Sequence, residues 1–144
     1  MLIRKALPED SRTLAELAAR MWPHAPEELQ GEFETLTASR EAACFLAFDG
    51  DQAVGFSQCQ LRHDYVEGCE TSPVGFLEGV YVDDVHRRCG VARALLAACE
   101  NWARSVGCTE FASDCELDNA DSLAWHLHNG FEEMNRTIWF AKKL

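Results

Sequence analysis

A single carboxylate interrupts a strongly apolar stretch of the chain. Glu78 is the only charge in the run Val74–Val82, where strand alternation sets it beside Phe76 and Val80. A carboxylate in that setting costs free energy unless it meets a cation or hydrogen-bond donors. The adjacent Gly79 suits a bulge that would turn Glu78 toward a cleft. Asp114 is similarly placed near the C-terminal end of the following strand. Each carboxylate also admits a structural reading, a salt bridge with Arg62 or Arg136. As a pair on adjacent strands they suit a cationic ligand and the removal of a proton from it.

A second constellation follows directly. The loop Arg87-Arg88-Cys89-Gly90-Val91-Ala92 joins the apolar run to a helix start. Such a junction presents unpaired backbone N–H groups and the positive end of the helix dipole, which suits a pyrophosphate. Gly90 permits close backbone approach, Ala92 keeps the first turn small, and Arg87 and Arg88 add positive charge. Neither G-x-G-x-x-G nor G-x-x-x-x-G-K-[ST] is present. Taken alone, the loop also reads as a plain strand-to-helix connection with solvated arginines.

The remaining reactive residue types define less. Seven cysteines stand at 44, 59, 69, 89, 99, 108 and 115, without a C-x-x-C pair. Several fall in apolar segments where a thiol behaves as a small hydrophobe, so a disulfide scaffold, a zinc knuckle and an acyl-cysteine intermediate are not expected. His126 and His128 are two apart on one helix, face different sides, and do not form a metal pair. No metal site is expected.

These groups are positioned by an ordered series of elements. Residues 2–6 read as a strand, and Pro8-Glu9-Asp10-Ser11 starts a helix carrying Leu14, Leu17, Ala18 and Met21. Trp22-Pro23-His24-Ala25-Pro26 interrupts it, and a second helix runs from about Glu27. Ala43–Phe48 and Ala53–Leu61 flank the hairpin signal Asp49-Gly50-Asp51. A polar loop at 64–73 leads to the strand Val74–Val82. Next come an amphipathic helix carrying Val91, Leu95, Ala98, Cys99 and Trp102, and a strand at Glu110–Cys115. A helix at about 119–129 and a last strand at Thr137–Lys142 complete the order β-α-α-β-β-β-α-β-α-β, a mixed α/β sheet covered by helices. With 144 residues and no linker or repeat, one domain over 1–144 is expected.

Composition narrows the partners. The net charge of −11 argues against nucleic acid, which needs clustered Lys and Arg, and favours cationic ligands if the carboxylates line the reactive site. No run approaches the roughly 18 apolar residues of a membrane span. Met1-Leu2-Ile3-Arg4-Lys5 lacks a signal-peptide core, so a cytoplasmic location is expected.

The pattern Arg87-x-x-Gly90-x-Ala92, then Asn119, then His126-x-x-x-Gly130-Phe131, resembles the GNAT superfamily of acetyltransferases. The element order agrees with that fold along the whole chain: a mixed, mostly antiparallel sheet with a central splayed strand pair and about four flanking helices. The resemblance implies acetyl-CoA as co-substrate. Its pantetheine arm would lie on the backbone of Val80, Tyr81 and Val82, its pyrophosphate on residues 87–92, and Asn119 would contact it. Many such proteins carry a Tyr four residues before the Gly-Phe pair as the acid for the leaving thiolate. Here that position holds His126, which is either the acid or a packed helix histidine.

Trp22-Pro23, the stretch Arg62–Cys69 with Ser72-Pro73, Phe76-Leu77-Glu78-Gly79 and Ala112-Ser113-Asp114 are similar to a narrower group, the aminoglycoside 6'-N-acetyltransferases. That resemblance implies direct acetyl transfer to a cationic aminosugar in a ternary complex, with antibiotic resistance as the outcome. Glu78 would accept the ammonium proton, Asp114 would orient the sugar or share that role, and the Val80 N–H would stabilise the thioester oxygen. Trp22, Tyr65 and His24 would line the substrate site, and the protein would be a homodimer, with Ile138-Trp139-Phe140 pairing across subunits. The alternatives are an acetyltransferase of polyamines or protein amines, and a non-catalytic acyl-CoA-binding regulator.

Overall fold

The apolar runs become strands wherever a turn signal ends them, as described by a computed structural model covering residues 1–144. β1 (Leu2–Lys5), β2 (Ala42–Asp49), β3 (Gln52–Arg62), β4 (Val74–Val82) and β5 (Phe111–Ser113) lie in that spatial order in one sheet. β1 to β4 pair antiparallel, whereas β5 joins β4 in parallel. Gly50, at φ 59°, turns the β2–β3 hairpin through the left-handed region that a side chain disfavours.

Helices α1 (Ser11–Ala18) and α2 (Pro26–Ala38) cover one face, and α3 (Val91–Ser105) covers the other. Leu14, Leu17, Leu29 and Phe33 pack on Leu46 and Phe56 on the first face. On the second, Leu95, Leu96 and Cys99 pack on Ala43, Phe45, Cys59 and Leu77. Phe33 and Phe56 are essentially buried and meet edge to face at 5.9 Å, each contributing about 2–3 kcal/mol by burial. Pro26 opens α2 at a position where its missing N–H costs nothing, and Glu27 and Glu28 complement the dipole there. α4 (Ala120–His128) adds Trp125 to the edge of the second core, with Phe131 beyond its end.

Two expected strands differ from what forms. β5 spans Phe111–Ser113 rather than 110–115, because its ladder with β4 ends at the rung Leu77–Ser113. Thr137–Lys142 forms no strand: it has no partner along which to pair, and Ile138, Trp139 and Phe140 are exposed. No helix is long and apolar enough to cross a membrane.

Candidate active site

The site begins where β4 and β5 part. The two strands share three rungs, Gly75–Phe111, Phe76–Ala112 and Leu77–Ser113, and then diverge. Past the last rung, β4 continues from Glu78 to Val82 with no neighbour on that side, so its backbone groups there are open to a ligand. Glu78 and Asp114 are the first residues beyond that rung on their respective strands. They flank the mouth of the opening.

A bulge aims Glu78. On the β3 side, Gln58 pairs with Gly79 and Cys59 with Leu77, leaving Glu78 as the extra residue. The alternation therefore shifts by one, and Leu77 and Val80 both pack toward α3. Glu78 shares the environment of Phe76 but not that of Val80, a correction to simple strand alternation. Gly79 also faces away from α3: a side chain there would lie 2.7 Å from Trp22 and 3.0 Å from Met21.

Glu78 is paired with Arg62, one of the two partners the sequence offered. Arg62 Nη2 donates to Glu78 Oε1 at 2.9 Å and to Oε2 at 3.1 Å, and Nε donates to Oε1 at 3.2 Å. The guanidinium lies 3.7 Å above the centre of the Phe76 ring. The other candidate, Arg136, pairs with Glu133 instead. Asp114 is exposed and makes no ion pair or hydrogen bond within the chain.

The mouth is held from below by a chain of hydrogen bonds that the sequence did not reveal. Ser113 Oγ lies 3.2 Å from the Leu77 carbonyl, and His126 Nε2 lies 2.8 Å from Ser113 Oγ. His126 Nδ1 faces the Ser122 carbonyl at 2.7 Å, and the ring sits edge-on to Trp125 and Phe131. The histidine is thus packed in the helix and joined, through Ser113, to the last rung. A hydroxyl at the end of β5 was the available signal, but only the register shows what it meets.

At the other end of the opening, the loop leads into α3. Gly90 is the residue before the helix, at φ 80°, and no side chain caps the helix start. The first intrahelical bond is Ala94 N–H to Gly90 O at 3.0 Å, so the N–H groups before it are free for an anion. Cys89 and Arg88 are exposed, Arg88 at φ 63°; Val91 is buried beneath the loop and Ala92 half-buried. Arg87 is committed elsewhere: Nε donates to the Val82 carbonyl at 2.9 Å and Nη1 pairs with Asp84 at 2.8 Å. It braces the strand end instead of standing free beside the loop.

The outer residues are less converged. Trp22 packs edge to face on Phe56 at 5.9 Å and against Gly79, so it is part core and part wall. Tyr65 is 77% exposed with no hydrogen bond, and His24 is exposed, 3.6 Å from Glu28. Asn119 caps α4, its Oδ1 accepting the Ser122 N–H at 3.1 Å. The side chain of Tyr81 turns to the α1 side and donates to Asp83 at 3.0 Å, while Arg20 pairs with the same carboxylate at 2.5 Å. Burial first, and then this bond to Asp83, push the Tyr81 phenol up. Only the Tyr81 backbone faces the open edge. The buried thiols are held protonated: burial pushes Cys44 up to about 12, and Cys59 is raised by its bond with Cys99 and by burial.

The splayed strands, the uncapped helix and the glycine loop define a class. Residues 9–131 match the acetyltransferase (GNAT) family, and the chain belongs to that family. It is 46% identical over 143 residues to the aminoglycoside N(6')-acetyltransferase type 1 of Stenotrophomonas maltophilia, covering 99% of this chain and 93% of that one. The apo crystal structure of an aminoglycoside antibiotic 6'-N-acetyltransferase from Acinetobacter haemolyticus superposes with a TM-score of 0.94, at 41% identity, covering 100% and 99% of the two chains. A second solved structure, AAC(6')-Iy with the bisubstrate analogue CoA-S-monomethyl-acetylneamine, also gives a TM-score of 0.94, at 36% identity and coverage of 99% and 98%.

Proposed function

We propose that this chain is an aminoglycoside 6'-N-acetyltransferase that moves acetyl from acetyl-CoA to the 6'-amine by direct transfer in a ternary complex. The observation that carries this reading is the mouth between β4 and β5, where Glu78 and Asp114 stand on either side of an unpaired strand edge. That edge can receive a pantetheine amide chain through the backbone of Val80, Tyr81 and Val82, as a strand receives a neighbour. Residues 88–92 then receive the pyrophosphate on free N–H groups, with Arg87 shaping the loop, and Asn119, at the start of α4, contacts the pantetheine arm. The parts fit the co-substrate in order: anion at the helix, amide arm along the strand, thioester at the carboxylates.

The chemistry follows from what the amine needs. An ammonium cannot attack a carbonyl, so Glu78 accepts its proton, directly or through water, while Asp114 orients the sugar. Negative charge gathers on the thioester oxygen as the amine adds, and the Val80 N–H on the open edge stabilises it. Collapse of the adduct breaks the C–S bond, and the leaving CoA thiolate takes the extra proton of the new amide nitrogen, giving the N-acetyl product and free CoA thiol. Trp22, Tyr65 and His24 contribute the wall toward solvent. His126, which stands where many proteins of the GNAT family carry a tyrosine, holds the mouth through Ser113.

In this reading residues 1–144 form one acetyltransferase domain, acting in the cytoplasm as a homodimer whose exposed Ile138-Trp139-Phe140 segments are covered by the partner. A thiol-release assay with acetyl-CoA and a panel of amines tests it. Turnover is expected with kanamycin-type aminoglycosides bearing a 6'-amine and not with their 6'-hydroxy analogues. CoA binding with no turnover on any amine, or turnover of polyamines alone, contradicts it.

A further inference from the structure

Glu78 is not a free carboxylate. Three hydrogen bonds from Arg62 occupy both of its oxygens, and the guanidinium lies over the Phe76 ring, 3.7 Å from its centre. The register explains the reach: Arg62 pairs with Val74 across the ladder, so its side chain must run along the strand, over Phe76, to the bulged Glu78. A bulge at Glu78 and an aromatic rail under the guanidinium make this a built contact rather than a chance surface pair.

The pair has a consequence for the reaction. While Arg62 holds Glu78, the two charges cancel and both carboxylate oxygens are occupied, so Glu78 does not draw an ammonium inward. An ammonium arriving at the same oxygens brings the charge that Arg62 supplies. The two partners differ in their hold on the site. The Arg62 side chain is 42% exposed and returns to water readily, whereas that of Glu78 is only 20% exposed and needs a cation in either state.

We propose that Arg62 is a resident counter-ion that occupies Glu78 in the free enzyme and is exchanged for the aminoglycoside ammonium on binding. It is a specificity-determining residue that sets the affinity for the amine through competition. The proposal rests on the reading of Glu78 as the amine's anchor. Guanidinium and ammonium are alternative occupants of one carboxylate, and a ligand must outcompete a bidentate, ring-stacked arginine to enter. Monoamines with a single charge compete poorly. A polycationic sugar, held also at Asp114 and by the overall negative charge, competes well.

The test is bisubstrate steady-state kinetics on wild type, Arg62→Ala and Arg62→Lys with a kanamycin-type aminoglycoside, alongside thermal melts. Removing the competitor in Arg62→Ala is expected to lower the aminoglycoside KM about fivefold, the upper range of what a partly exposed ion pair contributes. The acetyl-CoA KM should stay unchanged. Arg62→Lys, which keeps the charge but loses the paired geometry and the stacking, should give an intermediate value. A structural brace would behave differently, raising both KM values or lowering kcat without an aminoglycoside-specific gain. An unchanged or raised aminoglycoside KM in a folded Arg62→Ala overturns the exchange; if that variant does not fold, Arg62→Lys decides by the same sign. Wild type that acetylates no aminoglycoside removes the functional reading and this proposal together. Turnover with the wrong sign in the variants removes the proposal alone.

Discussion

At the residue scale, the proposed reaction turns on what surrounds one carboxylate. Glu78→Gln keeps the shape and the capacity to accept from Arg62 while removing the charge and the base. It should lower kcat for an aminoglycoside by at least ~100-fold, the usual size of a lost general base. The acetyl-CoA KM should stay within about twofold, because the pantetheine edge is backbone. Initial-rate measurements against both substrates check this, and equal losses on both would remove Glu78 from the amine site. That Glu78 needs a cation was legible from its place as the only charge in an apolar run. Which cation meets it was not, because Arg62 and Arg136 are both distant in sequence and only the β3–β4 register selects between them. The contact between Ser113 and His126 was hidden for a similar reason. Through Ser113 it reaches the Leu77 carbonyl at the last rung, which no spacing within β5 or α4 announces.

At the element scale, loops set the site and can be tested one by one. Gly90 holds φ 80° at the start of α3 with open space where a side chain would project. Gly90→Ala therefore strains the backbone by about 1 kcal/mol without a clash, and it should raise the acetyl-CoA KM with the aminoglycoside KM unchanged. Isothermal titration with CoA measures the first effect directly. The loop 64–73, which carries Tyr65, hangs from Glu110: its carboxylate accepts the Glu70 and Thr71 N–H groups at 2.9 and 2.8 Å and the Thr71 hydroxyl. The Thr71 hydroxyl foremost, with these backbone donors, holds the Glu110 carboxyl below the usual carboxylate range. A lowered carboxylate anchors the loop fully above the ordinary glutamate value and releases it as pH falls through the lowered one. Glu110→Ala should make this loop the first site of proteolytic cleavage at neutral pH, where wild type resists, as limited proteolysis would record. The helices and the hairpin were readable because periodicity and turn residues are local. The length of β5 was not, since it ends where its partner leaves it rather than at any residue of its own.

At the scale of the whole molecule, charge and the C-terminal segment carry the expectations. A net charge of −11 draws a polycation, so the aminoglycoside KM should rise with added salt while the acetyl-CoA KM does not rise with it. Kinetics at about 10 Å and about 3 Å Debye length, set by 0.1 M and 1 M salt, would show the difference. Trp139 and Phe140 are 90% and 92% exposed, a large apolar area for one chain to present to water. If the proposed homodimer forms through this segment, Trp139→Glu should shift its sedimentation toward monomer; an unchanged sedimentation coefficient would contradict pairing through Trp139. The sequence expectation of a strand at 137–142 located this apolar segment but assigned it a partner that the single chain does not contain. The central claim concerns the product, and the most direct measurement is NMR of a kanamycin-type aminoglycoside after incubation with the purified protein and acetyl-CoA. The account predicts one acetyl group, on the 6'-nitrogen. Acetylation at another amine, or none, would contradict it.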